Sequence, residues 1–165
     1  MVRKLFRNKI FVFLMAAAAA AFVFLQFIPQ DEALANPPVV REPNWDSAET
    51  RALAKRACFD CHSNETDWPW YARVQPMSMM MQQDIAAARS LMNFSEWKDV
   101  TFITADLIEK KLRAGEMPLP EYVLMHPDAK LTDAEIDALV AGLKETFAAS
   151  SNQVVDSSEA TQDAN

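Results

Sequence analysis

Five consecutive residues, Cys58-Phe59-Asp60-Cys61-His62, carry the strongest chemistry in the chain. On a helix, residues three and four apart lie on one face. This spacing therefore turns two thiols and an imidazole the same way. C-x-x-C-H is the attachment signature of c-type haem. Two thiols add to the haem vinyl groups as thioethers, and the next residue supplies the proximal ligand to iron. A bare C-x-x-C is also half a zinc site or a thiol redox pair. A zinc site needs two further ligands, and the only other Cys or His is His126. A thioredoxin-like pair needs a strand–helix–strand setting, and no strand pattern flanks this one. The residues point to one covalent haem c on Cys58 and Cys61, with His62 on the iron.

A six-coordinate haem needs a distal ligand, and Gly115-Glu116-Met117-Pro118 offers one. A methionine in a loop just after a helix, stiffened by the following proline, can present its thioether to iron. Met117 lies 55 residues beyond His62, enough chain to pass round the ring edge. His126 is the alternative, since imidazole also ligates iron; it can instead cap a turn at Pro127. The chain has nine methionines, so residue type alone decides little, and a methionine can equally fill a core gap. Met77, Met79, Met80 and Met81 cluster on one predicted helix and are expected to face the haem. Trp45, Trp68, Trp70 and Trp97 are expected in the core. Trp70, Tyr71 and Arg73 also have the donors to meet haem propionates.

The elements that must position these groups are helical. The chain has 165 residues, half of them apolar, and only two glycines, Gly115 and Gly142. All-β folds need more residues tolerant of positive φ in their turns. The abundant Ala, Leu, Met, Glu and Lys favour helix. The predicted fold is all-α, a small cytochrome-c-like domain around one haem. A first helix, opened by Asp46 and Glu49, runs through Leu53 to the cysteines. A second spans about Met77 to Met92. Ser95 caps a short turn at Glu96 and Trp97. A third helix runs from Thr104 or Ala105 to Ala114, with Lys110, Lys111 and Arg113 at its negative end and Gly115 at its exit. Thr132-Asp133-Ala134-Glu135 is a capping box, opening a last helix with Ile136, Leu139, Val140 and Leu143 on one stripe.

The flanking segments set the location. Residues 1–9 are basic and are expected in the cytoplasm. Residues 10–28 form an apolar run broken only by Gln26, close to the roughly 20 residues that span a bilayer. Basic residues before it, and Gln30, Asp31 and Glu32 after it, put the rest of the chain on the periplasmic or extracytoplasmic side. Ala33-Leu34-Ala35 has the form of a signal-peptidase site, which would leave a soluble periplasmic protein. The run is longer than the usual ~7–15-residue signal core, which favours a retained single-pass anchor. Residues 29–44, with Pro37, Pro38 and Pro43, read as a stiff linker, 45–148 as the haem domain, and 149–165 as a disordered tail. The formal charge is −7; without Arg3, Lys4, Arg7 and Lys9, 12 basic residues face 23 acidic ones. Such a domain would not bind nucleic acid; its charge serves solubility, or attracts a basic redox partner at low salt.

Three blocks in order, C-F-D-C-H-S-N-E-T-D-W-P-W-Y, L-M-N-F-S-E-W and G-E-M-P-L-P-E-Y-V-L-M-H-P-D-A-K-L-T, resemble the bacterial haem-binding domain proteins, small and usually membrane-anchored c-type cytochromes. The resemblance covers about residues 45–147. It implies a haem c domain with His62 as proximal ligand and Met117 in the Met-Pro position; His126 also sits in a position resembling the family pattern. The chain departs at Ser78-Met79-Met80-Met81, where Trp or Leu is expected. Closed coordination by two protein ligands suits one-electron transfer rather than an enzyme. The rival functions are a haem sensor or peroxidase-like enzyme with a displaceable distal ligand, with Gln82, Gln83 and His126 as its polar groups, and a zinc or thiol interaction module.

Overall fold

The computed structural model describes residues 2–29, 34–98 and 102–162, with side chains for 8–29, 34–98 and 102–150. The side chains of Arg3, Lys4 and Arg7, all of Gln30, Asp31, Glu32 and Ala33, and the last residues of the expected tail lie outside the described residues. The described residues are helical, as the composition predicts. The helices are α1 (Val2–Leu25), α2 (Ala48–Ala57), α3 (Phe59–His62), α4 (Met77–Leu91), α5 (Ala105–Arg113), α6 (Pro120–Met125) and α7 (Asp133–Gln162), with 3-10 turns at Trp70–Arg73 and Pro127–Ala129. Among the described residues the only β pairing is one isolated parallel bridge, Arg41 to Glu96.

The chain groups into two compact units. The first combines residues 1–35 with Trp68–Gln83. Its α1 holds a stretch, Asn8–Leu25, of mean hydropathy 2.1 with no part buried in the protein. Length and apolar surface suit this helix to a membrane span or a signal sequence. Gln26, the one polar residue in the apolar run, closes the helix end. Its amide donates to Phe22 O at 2.9 Å and to Gln75 O at 3.2 Å, and its Oε1 accepts from Gln75 N at 3.0 Å. Trp68–Gln83, which lies within the expected 45–148 haem domain, groups with the N-terminal helix.

The second unit, Asn36–Asp67 with Asp84–Asn165, contains the core. Apolar residues at helical spacing line one face of each of its main helices: Leu53, Ala54 and Ala57 on α2, Ala105 and Leu112 on α5, and Ile136, Leu139, Val140 and Leu143 on α7. Burial of these stripes drives the three helices together. An aromatic row, Trp45, Phe59, Phe94, Trp97 and Phe147, runs alongside with successive centroids 5.0–6.2 Å apart. Trp97 donates its indole N–H to Ser150 Oγ at 3.1 Å. Gly142 lets α7 approach α2 closely: a Cβ there would sit 1.9 Å from Thr50 Oγ1.

Local signals and local structure agree at most helix ends. Thr104 Oγ1 accepts from Leu107 N at 3.2 Å. Thr132 and Glu135 form the reciprocal capping box, with Thr132 N to Glu135 Oε2 at 2.8 Å and Glu135 N to Thr132 Oγ1 at 3.3 Å. At α2 the cap is Ser47, not Asp46: extended Ser47 accepts from Thr50 N at 3.1 Å. Asp46 instead meets Thr146 Oγ1 of α7 through its backbone N–H and its carboxylate. Ser95 does not cap the turn after it; its hydroxyl accepts from Asn64 N, and Asn93 Oδ1 takes Ser95 N.

The flanks carry structure of their own. The proline-rich stretch is extended and hydrogen-bonded over residues 36–41. Asn36 donates to Thr66 O, Pro38 O accepts from Asn64, Val40 N donates to Ser95 O, and Trp97 N donates to Arg41 O. Extended backbone with unpaired donors and acceptors is free to be recruited in this way. At the other end, α7 continues to Gln162 where the composition suggests a disordered tail from residue 149. No glycine or proline follows Gly142, so nothing local stops a helix already nucleated. Ser150 is buried and donates to Thr146 O at 3.0 Å.

Candidate functional site

The three chemistry-bearing residues sit on one turn, though not at the end of one unbroken helix. α2 stops at Ala57, and Cys58 (φ −127°, ψ −34°) breaks the regular path. Cys58 N still donates to Ala54 O at 2.8 Å. Its carbonyl accepts from Cys61 N at 3.2 Å and from His62 N at 2.8 Å. That short loop gathers Cys58, Cys61 and His62. Phe59, between the cysteines, is 1% exposed in the aromatic row. Burial of a phenyl ring of this kind contributes about 3–5 kcal/mol, judged by truncation to alanine, so the turn is fixed by its own second residue.

His62 is held from two directions by the backbone of the L-M-N-F block. Its carbonyl accepts from Phe94 N at 2.8 Å, and its ring Nδ1 lies 3.1 Å from Met92 O. A carbonyl oxygen only accepts, so Nδ1 carries the proton and Nε2 keeps a free lone pair. This is the arrangement by which backbone carbonyls orient metal-bound imidazoles. Burial lowers the His62 pKa, against the opposing pull of the Met92 and Ala88 carbonyls. The ring is therefore neutral at pH 7.

The loop leaving the turn is pinned by residues whose roles the sequence did not signal. Asn64, 2% exposed, donates to Pro38 O and Glu96 Oε1 and accepts from Asn93. Arg89 on α4 donates to Ser63 O at 2.8 Å and Thr66 Oγ1 at 3.0 Å. Asp60 takes Asp67 N at 2.9 Å.

Burial pushes the Cys58 thiol up to about 12, with Cys61 adding to the effect. It pushes the Cys61 thiol up to about 11, helped by the carboxylates of Asp60 and Asp84. Reactive redox cysteines show the opposite shift. Among the described residues no three His, Cys, Asp or Glu side chains gather as metal donors.

The second candidate segment begins at a Schellman cap. Gly115 has φ +67°, its N–H donates to Leu112 O, and Glu116 N donates to Lys111 O, each at 3.0 Å. Met117 N also reaches Lys111 O, at 3.3 Å. The expected glycine exit is present, and it fixes the backbone at Met117. The Met117 side chain is 41% exposed. His126 does not cap the turn at Pro127 with its ring, which lies against Tyr122 with Nδ1 3.1 Å from Tyr122 O. α6, which the sequence reading omits, brings Tyr122 to the haem-type motif: the Tyr122 hydroxyl hydrogen-bonds Asp60 Oδ2. The segment carrying both Met117 and His126 is thereby tied to the residue before Cys61.

The haem-binding domain family matches residues 20–145. The chain belongs to that family. The match begins inside α1 and so takes in more of the chain than the block resemblance did. No curated protein and no solved structure matches the chain. As a haem-binding domain, the chain has a donor set that fits: a neutral imidazole with Nε2 free, and two free thiols on the same turn.

Other expected haem neighbours fall in the first unit. Trp70 is 76% exposed rather than core, because the 3-10 turn at Trp70–Arg73 buries Ala72 instead. Met77, Met79 and Met80 are also exposed. Trp68 has a buried indole N–H with no acceptor among the described residues.

Proposed function

We propose that this haem-binding domain is a membrane-anchored c-type cytochrome working outside the cytoplasm. Cys58 and Cys61 hold one haem by thioethers, His62 Nε2 is the proximal ligand, and Met117 is the distal ligand, with His126 as the alternative. The observation that carries the reading is the Met92 carbonyl on His62 Nδ1, which leaves Nε2 free beside two thiols on one turn. When bound, the haem would supply reversible one-electron transfer. The chain's own residues then do three things. The turn at Cys58 fixes the ring's attachment, the Met92 carbonyl sets the imidazole's tautomer and angle, and the cap at Gly115 holds the Met117 backbone.

Retention of α1 as an anchor is supported by the two-way Gln26–Gln75 amide pairing and by Leu34, which is 7% exposed. Cleavage after Ala35 would remove both. The acidic balance of the chain suits a basic redox partner at low ionic strength.

The test is the absorption spectrum of the exported protein, oxidised and reduced, with pyridine haemochrome analysis. Haem that survives denaturation and acid-acetone extraction, and a native site that excludes CO, support the reading. Extractable haem rejects the thioethers. The exposure of Met117 favours a second reading, a displaceable distal ligand as in a sensor or haem enzyme. Tight stoichiometric CO binding at neutral pH would select it.

A further inference from the structure

α4 buries one side and bares the other. Ser78, Ile85 and Ala88 are buried, and Met81 and Gln82 are half-buried, a stripe at the helical period. Met77, Met79 and Met80 lie off that stripe at 44%, 45% and 56% exposure. Trp70, on the preceding 3-10 turn, adds an exposed indole. Large apolar side chains left exposed along one short segment suit an interaction surface.

Two observations identify what covers it. Gln26 is the first polar residue after the apolar stretch Asn8–Leu25, so in a spanning helix it sits at the hydrocarbon boundary. Its side-chain amide holds the backbone of Gln75 in both directions, and Gln75 is 2% exposed. The segment beginning at Trp68 is therefore fastened at bilayer-surface depth, in the same compact unit as α1. Phe24 and Phe27, 74% and 78% exposed, flank the fastening point. The second observation is charge. Residues 68–83 contain no carboxylate and one cation, Arg73, in a chain whose net charge is −7. This is the longest carboxylate-free stretch beyond the apolar run, so anionic headgroups would not repel it.

We propose that Trp70, Met77, Met79 and Met80 form an interfacial foot that lies in the headgroup region of the bilayer beside α1. The proposal rests on the retained-anchor reading above. Tryptophan favours this depth because its ring is apolar and its N–H is polar, and the flexible thioether chains of methionine adapt to disordered acyl chains. Gln26 and Gln75 satisfy each other's polar groups at the edge of the hydrocarbon, where unpaired backbone would be expensive.

The test is lipid photolabelling of full-length holoprotein in phosphatidylethanolamine–phosphatidylglycerol vesicles. A trace of phospholipid carries a diazirine near the carboxyl end of one acyl chain. After irradiation, trypsin releases 10–41 (the span), 74–89 (the methionines) and 131–144 (a control from α7). The foot predicts label on 74–89 several-fold above 131–144, together with label on 10–41. Label on 10–41 with 74–89 at control level overturns the foot while leaving the anchor intact. No label on 10–41 rejects the anchor itself, and the foot with it. The double variant Met77→Glu, Met80→Glu should bring 74–89 down to the control level with labelling of 10–41 unchanged. Unaltered labelling of 74–89 in that variant also overturns the proposal. If the double variant does not mature, the wild-type labelling ratio decides alone.

Discussion

The turn Cys58–His62 and the segment Gly115–His126 are held to the protein in different ways. The turn is embedded: Phe59 and Ser63 are almost fully buried, and backbone from Ala54, Met92 and Phe94 grips its residues. The later segment lies on the surface, with Met117 41%, Leu124 81% and Met125 57% exposed. Its described ties include the Schellman cap at Gly115, the Lys111–Glu116 ion pair and the Tyr122–Asp60 hydrogen bond. A site built this way has one half fixed by the core and one half that can yield. On the proposed reading, covalent attachment would use the first, and tuning or exchange of a distal ligand would be open to the second.

The largest test of this difference is attachment itself. Cys58→Ala or Cys61→Ala should abolish or strongly reduce haem-stained protein on a denaturing gel. Met117→Ala should leave the stain intact, open the site to CO and cyanide, and remove the Met-to-iron charge-transfer band of the oxidised spectrum. His126→Ala should leave that band in place. If Met117→Ala loses the stain as completely as the cysteine variants, the two halves are not independent. If His126→Ala opens the site instead, the ligand assignment is reversed.

The two glycines measure the same contrast in stability. A Cβ at Gly142 would sit 1.9 Å from Thr50 Oγ1 and 2.8 Å from Asp46 Oδ1, inside the α2–α7 contact that backs the turn. Overpacking there should cost about 1–3 kcal/mol or more. A Cβ at Gly115 meets nothing within 4 Å, so only the positive φ is penalised, about 1–2 kcal/mol. Thermal unfolding of Gly142→Ala and Gly115→Ala should show the larger loss at Gly142. Ligand-binding spectra should show the larger change at Gly115. The opposite pattern would place rigidity in the wrong half.

A smaller effect sits on the tie between the halves. Tyr122→Phe removes the hydroxyl that donates to Asp60 Oδ2, while Asp60 keeps Asp67 N. One hydrogen bond to a charged group contributes roughly 1.5–3 kcal/mol at most. The variant should keep covalent haem and bind cyanide more readily than wild type. Unchanged cyanide affinity would mean that Tyr122 does not hold the Met117 segment in place.

What could be read from the sequence was local. The Cys58–His62 spacing, the αL exit at Gly115, the Thr132–Glu135 box and the stripe from Ile136 to Leu143 each depend on neighbours within a turn or two. The structure has all of these features. What escaped depends on distant backbone. Met92 O on His62 carries no side-chain signature, because any residue at 92 offers a carbonyl. The same holds for Gln75, recruited by Gln26 from 49 positions away. Ser47 displaced Asp46 as the cap because both are good capping residues, and Thr146 on α7 claimed Asp46. The exposure of Trp70 was hidden by an average: tryptophan is usually core, and only the 3-10 turn reveals which way this one faces.

The smallest expected effect is a pH dependence on the embedded side. Glu135 accepts from Thr132 N and from Arg56, whose guanidinium lies 2.6 Å from Glu135 Oε1. Arg56 is on α2 and Glu135 on α7, so the pair bridges the two helices behind the attachment turn. The Thr132 backbone N–H, then Arg56, hold the Glu135 carboxyl down at about 2. An unfolded glutamate titrates near ~4.3. The folded value is the lower one, so the ionised form is favoured by folding. Its stabilisation is fully present above the unfolded value and is lost as pH falls from ~4.3 towards 2. The group is partly exposed, so screening by salt should weaken the Arg56 part of the effect. Glu135→Gln should flatten the acid limb of the stability profile between those pH values and leave the profile at pH 7 to 8 parallel to wild type. The haem spectrum should be unchanged at pH 7. If Glu135→Gln keeps the wild-type acid limb, the α2–α7 bridge contributes nothing to the fixed half, and its rigidity comes from the apolar stripes alone.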